Sequence, residues 1–470
     1  MSETTPSVGR PFPSPGLASS LGDQPAPPTA VRYAVLAWLC LAAALSYISR
    51  NSIGVAESTV RGELGLNKEQ SGWLMSAFFV AYAAFQIPSA AIGQRLGARR
   101  ALPLFALVWS GATALMAAGG LFTLILARVT KGLAQAGLFP ISTGVIAQWF
   151  PKTNRAFATG ALASCMSVGG AAGAALTGWL VVEVGWRWMF ALYSLPGIIW
   201  AVAFWAWFRN TPQEHHSVNV AERRLIESAS IEACTNASLA SAPVSQGASV
   251  ERHGSSILIG TRAIPWARLA TSPAMWWICG QQFFRGAGYT FFTSWFPTYL
   301  QESRGVTIGN SGMLTMLPLL SVVVGSLVGG TLSDALLRRT RSLRLARQGV
   351  AVWSLGLCAA LTLSAYFFAD AFMAVLFITL GSFFAAVAGP CGYTITMDMG
   401  GEHIPTVHSV MNMAGNLGAM LFPLAVPWLL RASGSWNAVL ITFGALYVAA
   451  AACWWCLKPQ GTVFDHSRRP

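Results

Sequence analysis

Four cationic side chains lie inside long apolar stretches of the chain: Arg50, Arg128, Lys131 and Arg285. The same stretches contain no carboxylate that would neutralise them. Each Lys or Arg at the centre of a membrane-spanning helix costs about 2.5–3.5 kcal/mol, so four of them cost on the order of 10 kcal/mol. Arginine binds carboxylate, sulfonate or phosphate through its planar fork, whereas lysine acts as a point charge. The pattern therefore predicts a site for a small anion.

Three of the polar side chains share one helix face. Arg128, Lys131 and Gln135 are separated by three and four residues, which places them in one stripe. We expect this stripe to line a cavity, because two adjacent cations cannot satisfy each other. The alternative is a helix-packing network inside the bundle. For Arg285 the alternative is a structural pair with a backbone carbonyl or with Asp398.

Several neutral polar side chains accompany the cations in the apolar stretches. Tyr47, Tyr82 and Tyr289 carry hydroxyls that suit a polyol, and Asn412 offers an amide from the other end of the chain. These four residues are further candidates for substrate binding. Packing among aromatic rings is the alternative for the tyrosines.

Proton coupling requires an acid whose protonation changes during a transport cycle, and the apolar stretches offer few. Glu57 follows Arg50 by seven residues and shares its helix face, while Asp398 lies at the end of a later apolar stretch. These two are the coupling candidates. The alternative for Glu57 is a place in an external loop.

The elements that must position these residues are helices that cross a membrane. Apolar segments of about 20 residues recur along the chain, which is the length that spans a hydrocarbon core. The sequence predicts an all-α integral membrane protein with twelve spans. They cover residues 33–55, 71–93, 101–119, 122–147, 156–181, 187–208, 274–299, 310–333, 348–368, 371–397, 405–430 and 436–457.

The basic residues are distributed unevenly between the loops that connect the predicted spans. The formal net charge of +13 suggests nucleic acid at first, but most basic residues lie in the tails and even-numbered loops. Because cytoplasmic loops carry the excess of Lys and Arg, both termini are predicted to be cytoplasmic and the nucleic-acid interpretation fails. The odd-numbered loops contain Arg61, Lys68, Arg187, Arg304 and Arg431.

The chain divides into two similar halves. Its predicted parts are a disordered cytoplasmic tail at 1–31, a six-helix half at 32–208, a cytoplasmic linker at 209–273, a second six-helix half at 274–458 and a tail at 459–470. Gly72 and Gln94 are 22 residues apart, as are Gly312 and Asp334, so the halves repeat with an offset of 240. The charged turns that end these segments are gating-loop candidates; a solvated basic loop is the alternative. The gating candidates are Arg95, Gly97, Arg99, Gly330 and Asp334.

These residues carry a family resemblance. The run Gln94-Arg95-Leu96-Gly97-Ala98-Arg99-Arg100 is similar to the G-x-x-x-D-R-x-G-R-R loop of major facilitator superfamily transporters, with Gln94 and Ala90 as departures, and the Gly330-x-x-x-Asp334 core repeats it. The resemblance implies the major facilitator fold, with two pseudo-symmetric six-helix halves around a central site.

Within that superfamily the chain most resembles the anion:cation symporters that carry galactonate, glucarate and hexuronates. The supporting segments are Tyr47-Ile48-Ser49-Arg50, Gly72-Trp73-Leu74-Met75-Ser76-Ala77-Phe78, Gln86-Ile87-Pro88, Gln148-Trp149-Phe150-Pro151, Gly185-Trp186-Arg187, Pro212-Gln213-Glu214-His215, Trp295-Phe296-Pro297-Thr298-Tyr299-Leu300 and Gly415-Asn416.

This second resemblance implies roles for individual residues. Arg50 and Arg128 match the arginines that hold the substrate carboxylate, and Tyr47, Tyr82 and Asn412 match positions that line the sugar-acid pocket. Proton-coupled members have Asp before the first arginine and Glu seven residues after the second. Here these positions are Ser49 and Gln135, so we expect weaker proton dependence than the resemblance implies.

The resulting prediction is a secondary transporter of a small organic anion, such as a sugar acid, in the cell membrane. An organophosphate:phosphate antiporter is the alternative within transport, and an anion channel or a receptor is the alternative of another class. An enzyme is not expected, because the chain has no His-Glu-x-x-His motif. An ATP-driven pump is not expected either, because no lysine lies in a phosphate-binding Gly-x-x-x-x-Gly-Lys loop. No metal or cofactor is predicted; the expected partners are the substrate, the lipid bilayer and H⁺ or another co-transported ion, for a monomeric protein.

Overall fold

The computed structural model describes residues 27–151, 154–226 and 266–465, and these residues form helices and connecting turns. Parts of the predicted tails and linker, namely residues 1–26, 227–265 and 466–470, lie outside the described residues. The first half contains α1 (Val31–Leu64), α2 (Lys68–Leu96), α3 (Ala98–Ala117), α4 (Leu121–Ala136), α5 (Leu138–Trp149) and α6 (Arg155–Trp207). A short helix, α7, is described over residues 220–226.

The second half begins after α8 (Trp266–Thr271). Its helices are α9 (Pro273–Thr293), α10 (Phe296–Arg304), α11 (Ile308–Thr340), α12 (Val350–Ser364), α13 (Ala371–Val387), α14 (Gly389–Met399), α15 (Ile404–Ser433) and α16 (Trp436–Cys456).

Ten helical stretches in the described residues are long and apolar enough to cross a membrane. One of them, Phe157–Trp207, covers two predicted spans that meet at Gly185, whose φ of 79° interrupts the helix. Predicted span seven appears as α9 and α10, which are separated at Ser294 and Trp295. The fold is thus all-α and membrane-spanning, and the count of twelve spans stays a prediction.

Three predicted spans are each built from two helices. The breaks fall at Gly137 between α4 and α5, at Ser294 between α9 and α10, and at Ala388 between α13 and α14. Arg128, Arg285 and Asp398 lie on these broken spans, where backbone groups near the break are available to neighbours.

Gly72 and Gly312 occupy equivalent positions in the two halves, where helices of the two halves cross. Gly72 on α2 lies against Pro423 of α15, where an added Cβ would come within 2.7 Å of the backbone oxygen. Gly312 on α11 lies against Ala174 of α6, with 2.5 Å between its added Cβ and the carbonyl oxygen. Each half therefore places a glycine at its crossing with the other half, because only a missing side chain lets the two backbones approach so closely.

The two ends of the bundle differ in how the halves meet. At the loop end, where α1 turns into α2, Arg61 and Lys68 of the first half bind Glu302 of the second at 2.6 and 2.7 Å. Toward the opposite end, which carries α7 and the segment joining the halves, a hydrogen bond joins Asn412 and Gln86 across the halves at 3.2 Å. The described halves are thus closed on each other at the loop end.

Candidate anion-binding site

Arg50 lies on α1 in a box of aromatic rings. Its guanidinium carbon is 4.2 Å from the ring centre of Tyr47, 4.7 Å from that of Phe78 and 4.9 Å from that of Tyr82. Tyr47 is three residues earlier on the same helix, and α2 supplies the other two rings. The aromatic faces attract the cation and exclude water, which strengthens any further electrostatic contact in the box.

Only part of the Arg50 guanidinium donates to oxygen acceptors of the neighbouring helices. Its Nε donates to Oε1 of Gln135 at 3.0 Å. In the described part of the chain its two Nη atoms donate to no carbonyl or carboxylate, and Arg50 enters no ion pair. Because these Nη groups are the pair of donors that a carboxylate or sulfonate accepts side by side, Arg50 is poised to bind an anion.

Arg128 and Lys131 are held differently. Arg128 is 2% exposed and donates to the backbone oxygens of Leu74, Met75 and Arg50, each at 3.2 Å. Lys131 is fully buried and donates to the backbone oxygen of Ser49. Both cations therefore tie α4 to the neighbouring helices α1 and α2, which is the helix-packing network that the sequence left as the alternative to cavity lining.

Gln135 links the two kinds of cation. It is fully buried, its Oε1 accepts from Arg50, and its Nε2 donates to the backbone oxygen of Ser46 at 3.1 Å. Ser49 also bonds to Ser46, through its hydroxyl at 3.0 Å. The two positions where the resembling symporters have carboxylates are thus occupied by neutral side chains whose polar groups are satisfied.

Arg285 faces the site from α9. Its Nε and Nη2 donate to Oε1 of Gln282 at 3.2 and 3.1 Å, and its guanidinium carbon is 5.8 Å from the ring centre of Tyr393. It lines a cavity of about 40 Å³, together with Tyr289 and Tyr447. That volume holds ordered water or a small group. Asp398, which the sequence analysis considered as a structural partner of Arg285, instead accepts from Nε of Arg347 at 3.2 Å.

Two tyrosines, Tyr289 and Tyr82, lie near the arginines of the site. Tyr289 lies within electrostatic reach of both Arg50 and Arg285, and also of Tyr393. Tyr82 lies within reach of Arg50 and Tyr393. Tyr393, on α14, was missed by sequence reasoning, because a lone aromatic residue in an apolar segment has no spacing signal. Tyr289 therefore lies near Arg50 of the first half and Arg285 of the second.

Asn412 forms a bond across the halves. Its Nδ2 donates to Oε1 of Gln86, which lies on α2 one turn beyond Tyr82. Asn416 donates to the backbone oxygen of Asn412 at 3.1 Å. The predicted substrate-binding amide thus lies where α2 and α15 meet, between the aromatic box and the more open end of the bundle.

Glu57 is not in an external loop, because α1 continues to Leu64. The side chain is 2% exposed. Its carboxylate accepts from Nε of Arg61 at 2.8 Å and from the hydroxyl of Thr298 at 2.9 Å. It is separated from Arg50 by about two helical turns toward the loop end.

The gating-loop residues make contacts inside their own halves. Arg95 is exposed, and Gly97 has a φ of 73° with its Cα against Asn210. The backbone N–H of Arg99 donates to Oδ1 of Asn210 at 2.9 Å, and Asp334 binds Arg347 at 3.0 Å.

Gly330, the remaining gating-loop candidate, makes no close helix contact. An added Cβ there would approach only Pro390, at 3.9 Å. The close contact is one residue earlier, where a Cβ on Gly329 would lie 2.1 Å from the backbone oxygen of Val387. The reason is helical phase, because consecutive residues point about 100° apart and only one of them faces α13.

Comparison with known proteins identifies the family. The family description Major Facilitator Superfamily matches residues 39–369 and 342–467. The chain belongs to this superfamily. It is therefore a multi-pass membrane protein of the cell membrane, in a family of transporters and not of enzymes.

Several relatives of this chain are named as transporters of small organic anions. It is 31% identical to a probable sulfoacetate transporter of Cupriavidus necator, over 92% of this chain and 95% of that protein. It is 28% identical to a probable galactarate/D-glucarate transporter of Bacillus subtilis, over 90% of each chain. A D-galactonate transporter of Escherichia coli is also 28% identical, over 86% of this chain and 90% of that protein.

A solved structure shares the fold. The crystal structure of a bacterial homologue of the human lysosomal transporter Spinster, in an inward-facing and unoccupied conformation, has a TM-score of 0.68 and 19% sequence identity. The match covers 93% of this chain and 95% of that one. The resemblance to the major facilitator fold that the sequence predicted is thereby confirmed.

Proposed function

We propose that the protein is a secondary transporter of a small organic anion that carries a carboxylate or sulfonate group. The observation that carries the proposal is the aromatic box around Arg50, in which the two Nη groups of the guanidinium donate to no carbonyl or carboxylate of the described residues. The relatives named for sulfoacetate, galactarate and galactonate support the same class of substrate.

Arg285 supplies a second cation from the other half. A short molecule with an anionic group at each end meets one arginine in each half, with the tyrosines Tyr47, Tyr82 and Tyr289 available for its remaining polar atoms. In this proposal, Arg128 and Lys131 keep α4 in place and act on the substrate through the positive field that they add. Binding across the two halves favours their closure around the anion.

Transport follows from alternating access of the two halves. The ion pairs across the halves at the loop end and the Asn412–Gln86 bond toward the other end support a cycle in which one end closes as the other opens. The distribution of Lys and Arg supports an orientation with both termini in the cytoplasm. The binding site itself contains no carboxylate in the described residues, which supports weak proton dependence at the site.

Counterflow in proteoliposomes tests the proposal. Vesicles preloaded with unlabelled sulfoacetate, D-galactarate, D-galactonate or inorganic phosphate are given a trace of the labelled anion outside. We expect accumulation with at least one of the carboxylate or sulfonate anions, and its loss in Arg50→Ala. Arg187→Ala is the matched control, because Arg187 is an exposed arginine that binds Glu63 within the first half.

The outcomes separate the candidate functions. Accumulation with phosphate alone would favour phosphate exchange, which the available N–H groups of Arg285 also permit. Full counterflow in Arg50→Ala would contradict the proposed site. Rapid flux that shows no saturation and no counterflow would indicate a channel.

A further inference from the structure

We infer that Glu57, at the contact between the halves, couples protons to opening of the loop end. This inference rests on the proposed transport function and adds its regulation. Ser49 and Gln135 leave the binding site without an acid, whereas Glu57 is a buried carboxylate with partners in both halves.

The contacts of Glu57 are built into the closed loop end. Thr298, on α10 of the second half, is fully buried and donates its hydroxyl to one carboxylate oxygen at 2.9 Å. Arg61, on α1, donates to the other oxygen at 2.8 Å. Gly54, one turn earlier, allows the backbones to touch, because an added Cβ would lie 2.4 Å from the carbonyl oxygen of Thr293. Glu57 is thus enclosed only while the halves are together.

The charges around Glu57 form an alternating chain. Arg61 contacts both Glu57 and Glu302, and Glu302 contacts Lys68 of α2. The nearby pair of Glu63 and Arg187 lies wholly within the first half. Protonation of Glu57 converts its carboxylate to a neutral acid, removes one negative charge from this chain and weakens the acceptor for Thr298 and Arg61. The closed end loses stability as a result, because a charged acceptor makes stronger hydrogen bonds than a neutral one.

The other acid, Asp398, lacks this linkage. Its partner Arg347 also binds Asp334, and all three lie in the second half. Rocking of the halves as rigid bodies leaves these distances unchanged. A proton shifts a conformational equilibrium only when its binding differs between the two conformations, and among these two acids that condition is met at Glu57.

Hydrogen–deuterium exchange of the full chain in nanodiscs tests the inference without a substrate. In Glu57→Gln we expect the amides of α10 and of the last turns of α1 to exchange about tenfold faster, because a neutral acceptor replaces a charged one in these hydrogen bonds. Thr298→Val removes the bond from the other half and should act in the same direction with a smaller effect. Glu63→Gln, which removes a carboxylate of α1 with no partner in the second half, is the matched control.

The pH dependence identifies the responding group. After correction for intrinsic exchange rates, the wild-type protein should open its loop end more at acidic pH, whereas Glu57→Gln should be open to the same extent across the series. Unchanged exchange in both Glu57→Gln and Thr298→Val would overturn the inference. So would a pH dependence that survives in Glu57→Gln, since it would belong to Glu302 or Glu69, which also form ion pairs across the halves. Failure of every tested anion in counterflow would count against the proposed substrates and leave these results standing.

Discussion

Arg50 and Arg128 lie on neighbouring helices of one half, yet the structure uses them in opposite ways. Arg128 gives its donors to three backbone oxygens and is buried. Arg50 gives one donor to Gln135 and holds the rest among aromatic rings. One of the oxygens that Arg128 binds is that of Arg50 itself, at 3.2 Å. The buried arginine therefore fixes the backbone from which the other presents its charge.

The comparison shows what distinguishes a structural cation from a ligand-binding one. Both residues are arginines in apolar helices without carboxylate partners, so residue type does not separate them. The difference is the supply of acceptors, because a cation that reaches backbone oxygens is already satisfied and one that faces aromatic rings is not. In the proposed site, Arg128 and Lys131 maintain the shape and Arg50 binds the anion.

The largest expected difference between the two arginines is in the unfolding free energy of the ligand-free protein. Arg128→Ala removes three hydrogen bonds and leaves a cavity where α1, α2 and α4 meet, so we expect a loss of about 2–5 kcal/mol in unfolding free energy. Thermal unfolding of the detergent-purified, ligand-free protein measures it. Arg50→Ala should change the same transition much less; equal losses in the two variants would remove the distinction.

A second test sharpens the comparison through binding. Arg50→Lys keeps the charge in the aromatic box but loses the paired donors, so we expect affinity for the transported anion to fall about tenfold to a hundredfold. Isothermal titration of the purified protein with the anion that counterflow selects is the measurement. Arg187→Lys serves as the control at an exposed position. Wild-type affinity in Arg50→Lys would show that geometry at this arginine does not matter.

The smallest expected effect comes from the residue that joins the two cations. Gln135→Glu places a carboxylate 3.0 Å from Nε of Arg50, where it competes with the substrate, so we expect affinity at neutral pH to fall about fivefold to tenfold. Acidic pH should restore it, because protonation of the new acid returns a neutral neighbour. Binding measured across a pH series checks this, and a pH-independent loss would point to distorted packing of Gln135 against Ser46 instead.

Much of the fold could be predicted because it follows from chain-local properties. The length and hydropathy of the segments predicted the spans, and the equal 22-residue separations after Gly72 and Gly312 predicted two similar halves. The structure explains the repeat, since these two glycines occupy the corresponding crossings between halves.

The candidate site was predicted less completely. Arg50, Tyr47 and Tyr82 come together as expected, while Tyr393 and Gln282 give no signal in the sequence. Arg128 and Lys131 form the packing network that was the less favoured interpretation. The loop placement considered for Glu57 was wrong. Helix α1 extends beyond its apolar part, because Glu57 and Arg61, four residues apart, form an ion pair that stabilises its last turns.

The sequence by itself determined the class of the protein, its repeated halves and the excess of positive charge in its apolar interior, because length, hydropathy and charge count are properties of the chain. Only the tertiary structure decided which cation is satisfied by backbone oxygens, and which carboxylates join the two halves. Those outcomes depend on backbone oxygens and hydroxyls that distant segments bring within 3 Å or so of a side chain. A linear pattern of residues does not specify such acceptors.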